Sequence, residues 1–166
     1  AGRTFAALSA AGHSVTMISQ ASSEASICFV LPQAEAESAR AALDAAFAAE
    51  RAARLIDNVR VEPGVALLAI VGLGMRGTPG VAARVFAALA SRRVNVLAIA
   101  QGSSELNITV ALREGDVAAA LEALHREFQL DRQRALGDGA ERETSVALLG
   151  FGQIGQALSL QLGAAA

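Results

Sequence analysis

Arg3-Thr-Phe-Ala-Ala-Leu8 comes back as Arg84-Val-Phe-Ala-Ala-Leu89, and Gln20-Ala-Ser-Ser-Glu24 comes back as Gln101-Gly-Ser-Ser-Glu105. The offset is 81 residues each time, and it holds without a gap from Arg3–Phe47 to Arg84–Phe128. A register kept over that length marks a duplication. A repeat of small-domain size makes two copies of one module rather than a solenoid.

The second copy carries the fuller pattern. Val65 to Val71 is a continuous apolar run with β-branched residues, bounded by Pro63-Gly64 and Gly72, and reads as a buried strand. Gly72 to Gly80 is a glycine-rich loop. Thr78 as N-cap and Pro79 at the first helical position predict a helix that carries Val81, Val85, Phe86 and Leu89 on one face. Asn95 to Gln101 reads as a second strand. Glu105 to Leu112 follows at once, with Leu106, Ile108, Val110 and Leu112 alternating, so the two strands form an antiparallel hairpin. Asp116 is the expected N-cap of a last helix with Val117, Leu121, Leu124 and Phe128. The order β-α-β-β-α is most of a ferredoxin-like unit. The first copy supplies α-β-β-α from Arg3 to Phe47, with a closing strand expected at Leu55 to Val61.

The expected fold class is α+β: two ferredoxin-like βαββαβ units packed as a pair, followed by the first strand and helix of a Rossmann domain. The expected boundaries are 1–62, 63–130, a polar linker at 131–144, and a separate piece at 145–166. The chain starts and stops in mid-pattern, which is expected of a fragment of a longer polypeptide.

Composition narrows the function. Net charge is −2 with no basic run, and the aromatics are six Phe without Trp or Tyr. Both facts argue against a nucleic-acid surface. Cys28 is the single cysteine; it reads as a reduced, buried thiol. With no apolar run of membrane-spanning length and no secretory signal, the expected location is cytoplasmic, away from membranes.

Two stretches match G-x-G-x-x-G: Gly72-Leu-Gly74-Met-Arg-Gly77 and Gly150-Phe-Gly152-Gln-Ile-Gly155. The first leads into a hairpin without a crossover helix, so it lacks the acidic partner a dinucleotide site needs. It reads instead as a loop that lets a small ligand approach a helix start. The second, Val146-Ala-Leu-Leu-Gly150 and onward, reads as the first strand, turn and amphipathic helix of a dinucleotide-binding domain. Gly150, Gly152 and Gly155 would be an incomplete cofactor site, and no cofactor is expected on this stretch alone. Glu24 and Glu105 read as turn and strand-edge residues rather than an acid–base pair. His13 and His125 read as solvated, without metal-ligand spacing, and no catalytic residue is assigned.

Gly74-Met-Arg-Gly-Thr-Pro-Gly-Val-Ala-Ala-Arg-Val-Phe86, then Val94-Asn-Val-Leu-Ala-Ile-Ala-Gln-Gly-Ser-Ser-Glu105, resembles the ACT domains of aspartate kinases, and Ser14-Val-Thr-Met-Ile-Ser-Gln-Ala-Ser-Ser-Glu24 repeats the motif. A glycine-fingerprint strand after tandem ACT domains looks like the bifunctional aspartate kinase/homoserine dehydrogenases. That resemblance implies an allosteric module that binds an end-product amino acid, threonine in the fused class, and inhibits the flanking enzymes. It implies effector residues Met75, Thr78, Gly80, Asn95 and Gln101 in the second copy, with Ser14 and Gln20 as counterparts in the first. It also implies ATP with Mg and NAD(P) for the longer enzyme, and a homo-oligomer through ACT sheets or helices. Two other readings stand beside it: the regulatory region of a monofunctional aspartate kinase with lysine or threonine as effector, and a structural dimerisation module.

Overall fold

The computed structural model describes residues 1–20, 26–130, 146–150 and 155–162. The chain divides into two units. One comprises Ala1–Val65 with Gln153–Ala166, and the other comprises Ala66–Gly152.

The second unit contains the end of β3 (Ile56–Gly72), α4 (Val81–Ser91), β4 (Val96–Gln101), β5 (Asn107–Arg113), α5 (Val117–Glu127) and β6 (Val146–Gly150). Its strands stand in the order β6-β3-β5-β4. β6 runs antiparallel to β3, with Leu68 opposite Gly150 and Gly72 opposite Val146. β4 and β5 form the expected hairpin, with Ile99 opposite Val110. In chain order this is fourth-first-third-second, the arrangement of a βαββαβ ferredoxin-like unit. The apolar stripes of α4 and α5 bury Val81, Val85, Leu89, Ala120 and Leu124 against Leu68, Ile70, Ile108, Val110 and Leu112 of the sheet.

The first unit contains α1 (Gly2–Ala10), β1 (Met17–Ser19), β2 (Ser26–Pro32), α2 (Ala36–Ala46), α3 (Ala48–Ala52), β3 up to Val65, and β7 (Gly155–Leu162). Its strands stand in the order β3-β7-β2-β1, and each is antiparallel to its neighbour. The position held by β3 in the second unit is held here by β7, the last strand of the chain. β3 itself is a single strand where the sequence suggested two. Its pairing with β7 shifts register between Glu62 and Val65, across Pro63-Gly64.

The duplication reaches atomic pairing. Adding 81 to β2 gives β5, and adding 81 to α2 gives α5, end for end. The pairs Met17–Val30, Ile18–Phe29 and Ser19–Cys28 become Ala98–Ala111, Ile99–Val110 and Ala100–Thr109. The cores correspond as well: Leu8, Ile27, Leu31, Ala39, Leu43 and Phe47 in the first unit match Leu89, Ile108, Leu112, Ala120, Leu124 and Phe128 in the second.

Two expectations need correction. Gly155–Leu162 is a strand, not the helix of a Rossmann domain. Leu158, Leu160 and Leu162 alternate with Ser159 and Gln161. That two-residue period suits a pleated strand, and β7 has a strand on each side to satisfy its backbone. The second correction concerns α4, which starts at Val81 with Gly80 as its N-cap, so Thr78 does not cap it.

Candidate functional site

The glycine loop of the second unit is built from its own hydrogen bonds. β3 ends where the Gly72 amide donates to the Leu106 carbonyl at 3.0 Å. A single 3-10 turn follows at Leu73–Met75. The Met75 side chain is 4% exposed and packs into the core, so it anchors the loop from below. Thr78 closes the turn twice: its amide donates to the Met75 carbonyl at 3.1 Å and its hydroxyl to the Gly74 carbonyl at 2.7 Å. Both bonds point Thr78 back into the turn, two residues before the N-cap position at Gly80.

Gly77 and Gly80 have φ of +68° and +88°, a region that strains any residue with a Cβ. Gly80 lets the chain turn into α4 and offers no capping side chain. The first intrahelical bond runs from the Arg84 amide to the Gly80 carbonyl at 3.0 Å. The amides of Val81, Ala82 and Ala83 therefore have no helical acceptor, and they sit at the positive end of the helix dipole.

The hairpin turn between β4 and β5 lies beside this loop. The Glu105 amide donates to the Gly102 carbonyl at 3.1 Å. The Glu105 carboxylate accepts a hydrogen bond from the Gly77 amide at 2.9 Å. Glu105 holds a φ of +57°, left-handed for a residue with a side chain. The repeated Ser-Ser-Glu motif reads from sequence as turn structure. In the fold its carboxylate also reaches a loop 28 residues away, a link that local spacing does not reveal.

The sequence-derived site residues do not all meet. Thr78 and Gly80 are exposed on the loop. Gln101 is exposed at the end of β4 that adjoins the same hairpin turn. Asn95 precedes Val96, the first residue of β4, at the opposite end of the strand, about 20 Å away along the chain direction. Ser14 and Gln20 bracket β1 in the same manner and are exposed. The alternating burial of β4 puts Gln101 with Leu97 and Ile99, not with Val96 and Ala98, which turn towards the helices. Ile99 and its counterpart Ile18 are 45% and 48% exposed on the edge strands of their units.

Of the second glycine fingerprint, Gly150 ends β6 and Gly155 begins β7. Gly152 lies outside the described residues. With a strand after it, the segment offers no helix start for a pyrophosphate, and these residues do not fit a dinucleotide. Among the described residues no cluster of His, Cys, Asp and Glu suits a metal, and no helix is long and apolar enough to cross a membrane.

His13 is not simply solvated. Its Nδ1 lies 2.9 Å from a Glu35 carboxylate oxygen and its Nε2 lies 3.2 Å from the Ser38 hydroxyl. Ser38 also donates to the Glu35 carbonyl at 3.0 Å. The trio ties the segment before β1 to the first turn of α2. The signal was the Glu35/Ser38 spacing at a helix start. Cys28 is half-buried, and burial pushes its thiol pKa up.

Two units with the strand order of a βαββαβ module, the second with a glycine loop at a helix start, define the class of fold: a duplicated small α+β module. The model of the ACT domain family matches residues 1–47 and 68–128, and the chain belongs to that family. It is 44% identical over 158 residues to a chloroplastic bifunctional aspartokinase/homoserine dehydrogenase 1 of Zea mays, covering 95% of this chain and 16% of the relative. It is 40% identical over 126 residues to the bifunctional enzyme of Haemophilus influenzae, covering 76% of this chain and 16% of that relative. The chain thus spans about one sixth of the length of these relatives. Among solved structures it resembles the regulatory subunit of aspartate kinase from Thermus thermophilus in ligand-free form. That match has a TM-score of 0.61 and 30% identity, and covers 76% of this chain and 80% of the other. A structure of aspartokinase alpha and beta subunits matches with a TM-score of 0.64 at 25% identity, covering 78% of this chain and 82% of that one.

Proposed function

We propose that this chain is the amino-acid-sensing region of a bifunctional aspartate kinase/homoserine dehydrogenase, and that threonine bound to it inhibits both activities. The observation that carries the reading is the loop ending at Gly80. It delivers an uncapped helix start at the sheet end where Gln101 stands. A free amino acid is a zwitterion. The α4 amides suit its carboxylate, and the Gln101 amide can accept from its ammonium or hydroxyl. Gln20, the repeat counterpart of Gln101, follows directly on β1 in the first unit and is a second candidate contact. Asn95 and Ser14, at the other strand ends, belong to a separate part of the surface.

Calorimetry tests this directly. L-Threonine should bind the wild-type chain, and Gln101→Ala should weaken it about ten- to a hundred-fold, the worth of one charge-assisted hydrogen bond. Preference for L-lysine would redirect the reading to a monofunctional kinase. No binding of either would remove it. In the full-length enzyme Gln101→Ala should relieve threonine inhibition and leave uninhibited turnover unchanged.

A second reading is supported by the exposed Ile18 and Ile99 on edge strands β1 and β4. Unpaired strand edges with apolar neighbours invite pairing with another copy, so the region also serves as a homo-oligomer contact. Light scattering of wild type against Ile99→Lys is the measurement: a lower mass for the variant supports the contact, and an equal mass removes it.

A further inference from the structure

We infer that Glu105 is a positioning residue for the effector loop: its carboxylate latches the Gly77 amide and holds the glycine loop in the shape that opens the α4 helix start. The inference rests on the effector reading above.

The geometry has three parts. The Gly77 amide donates to the carboxylate at 2.9 Å, across 28 residues of sequence. The β3 terminus is tied to the same hairpin by the bond from the Gly72 amide to the Leu106 carbonyl at 3.0 Å. Glu105 holds φ +57°, a conformation that costs a side-chain-bearing residue energy and that glycine would adopt without strain. A turn that needed only its backbone shape would be better served by glycine. Strain kept at such a residue points to a task for its side chain, and the carboxylate has one: it fixes the loop's Gly77 amide.

The latch also has a chemical logic. From Gly72 to Gly80 inclusive the loop carries four glycines, so without an anchor it would sample many shapes and pay ordering entropy on binding. Met75 anchors it to the core from one side. Glu105 fastens the next stretch from the hairpin side, so both anchors flank the turn that leads to Gly80. The residue touches the loop rather than the ligand, and its effect is on preorganisation.

Two variants of the whole chain separate the backbone from the carboxylate. Glu105→Gly relieves the strained φ and removes the latch. Glu105→Gln keeps a neutral acceptor in place. In Glu105→Gly the thermal midpoint should hold or rise. The Gly77 amide should exchange with solvent at least about tenfold faster, and L-threonine affinity should fall about tenfold, about 1.4 kcal/mol. Glu105→Gln should lie between Glu105→Gly and wild type in both readouts. A Glu105→Gly chain that binds threonine like wild type, or whose Gly77 amide exchanges at the wild-type rate, overturns the latch. If the wild-type chain takes no threonine, the effector reading fails on its own, and Gly77 exchange alone then upholds or overturns the latch.

Discussion

The Arg84 guanidinium lies over the Phe128 ring, 4.6 Å from its centre, as Arg3 lies over Phe47 at 4.8 Å in the other unit. Each Arg also donates to the carbonyl at equivalent positions, Glu127 at 3.0 Å and Ala46 at 2.6 Å. Each is ion-paired too, Arg84 with Glu127 and Arg3 with Glu50. One planar side chain thus fastens α1 to the end of α2 in the first unit and α4 to the end of α5 in the second, by stacking and hydrogen bonding together.

Replacing Arg84 with Lys keeps the charge and loses the planar fork. Because the side chain is half exposed, the cost should be modest, about 1 kcal/mol, seen as a fall of about 4 °C in the thermal midpoint of Arg84→Lys. An unchanged midpoint would mean the stacking is decorative.

Gly80 provides a test of the helix start. Gly80→Ala forces a Cβ into φ +88° and should cost about 1–2 kcal/mol in urea unfolding. Gly80→Asn tolerates that φ better and brings a side-chain oxygen able to cap α4. It should therefore retain more stability and still weaken threonine, because the cap competes for the amides. Full threonine affinity in Gly80→Asn would show that the ligand's carboxylate goes elsewhere.

Cys28 should alkylate slowly at neutral pH, with its rate rising only above the ordinary thiol range, since burial raises its pKa. The sign follows for stability: the neutral thiol favours the fold below the unfolded-state pKa, and that contribution is lost as pH rises through the higher folded value. A rate–pH profile like that of free cysteine contradicts this.

The assignment of β7 is testable through its backbone. Ser159 stands opposite both Cys28 of β2 and Arg60 of β3. Ser159→Pro removes an amide from a strand with neighbours on each side, a placement proline does not tolerate. Circular dichroism should show a clear loss of stability for Ser159→Pro. If 155–162 were instead a solvent-exposed helix end or a separate segment, the two units would melt as in wild type.

Much of this fold was legible because its signals are local or repeated. The 81-residue offset located both hairpins and both helix pairs, and the alternation of Ile108, Val110 and Leu112 gave β5 its buried face. What escaped depends on partners distant in sequence. The tail after Gly155 satisfies a helical reading through its glycine fingerprint and a strand reading through Leu158, Leu160 and Leu162, and neighbouring strands decide between them. Thr78 is a good N-cap by residue type, but the left-handed Gly80 delays the helix to Val81, and the Thr78 hydroxyl donates to the Gly74 carbonyl within the turn. Glu105 looks like a turn residue until Gly77 is beside it. Asn95 and Gln101 are close in sequence and separated in space, because an extended strand lies between them.

The placement of β7 has a consequence for the order of events during synthesis. In the second unit β3, β4 and β5 are close in sequence, so most of that sheet pairs soon after it is made. In the first unit the strand between β2 and β3 consists of residues 155–162. That sheet therefore cannot close until residues 155–162 have been made, although its other strands precede them in the sequence. Until then β2 and β3 each have an edge open to other chains. Of the two units, the one whose first strands are made earlier is the one completed later, and it is there that a nascent chain is more exposed to mispairing.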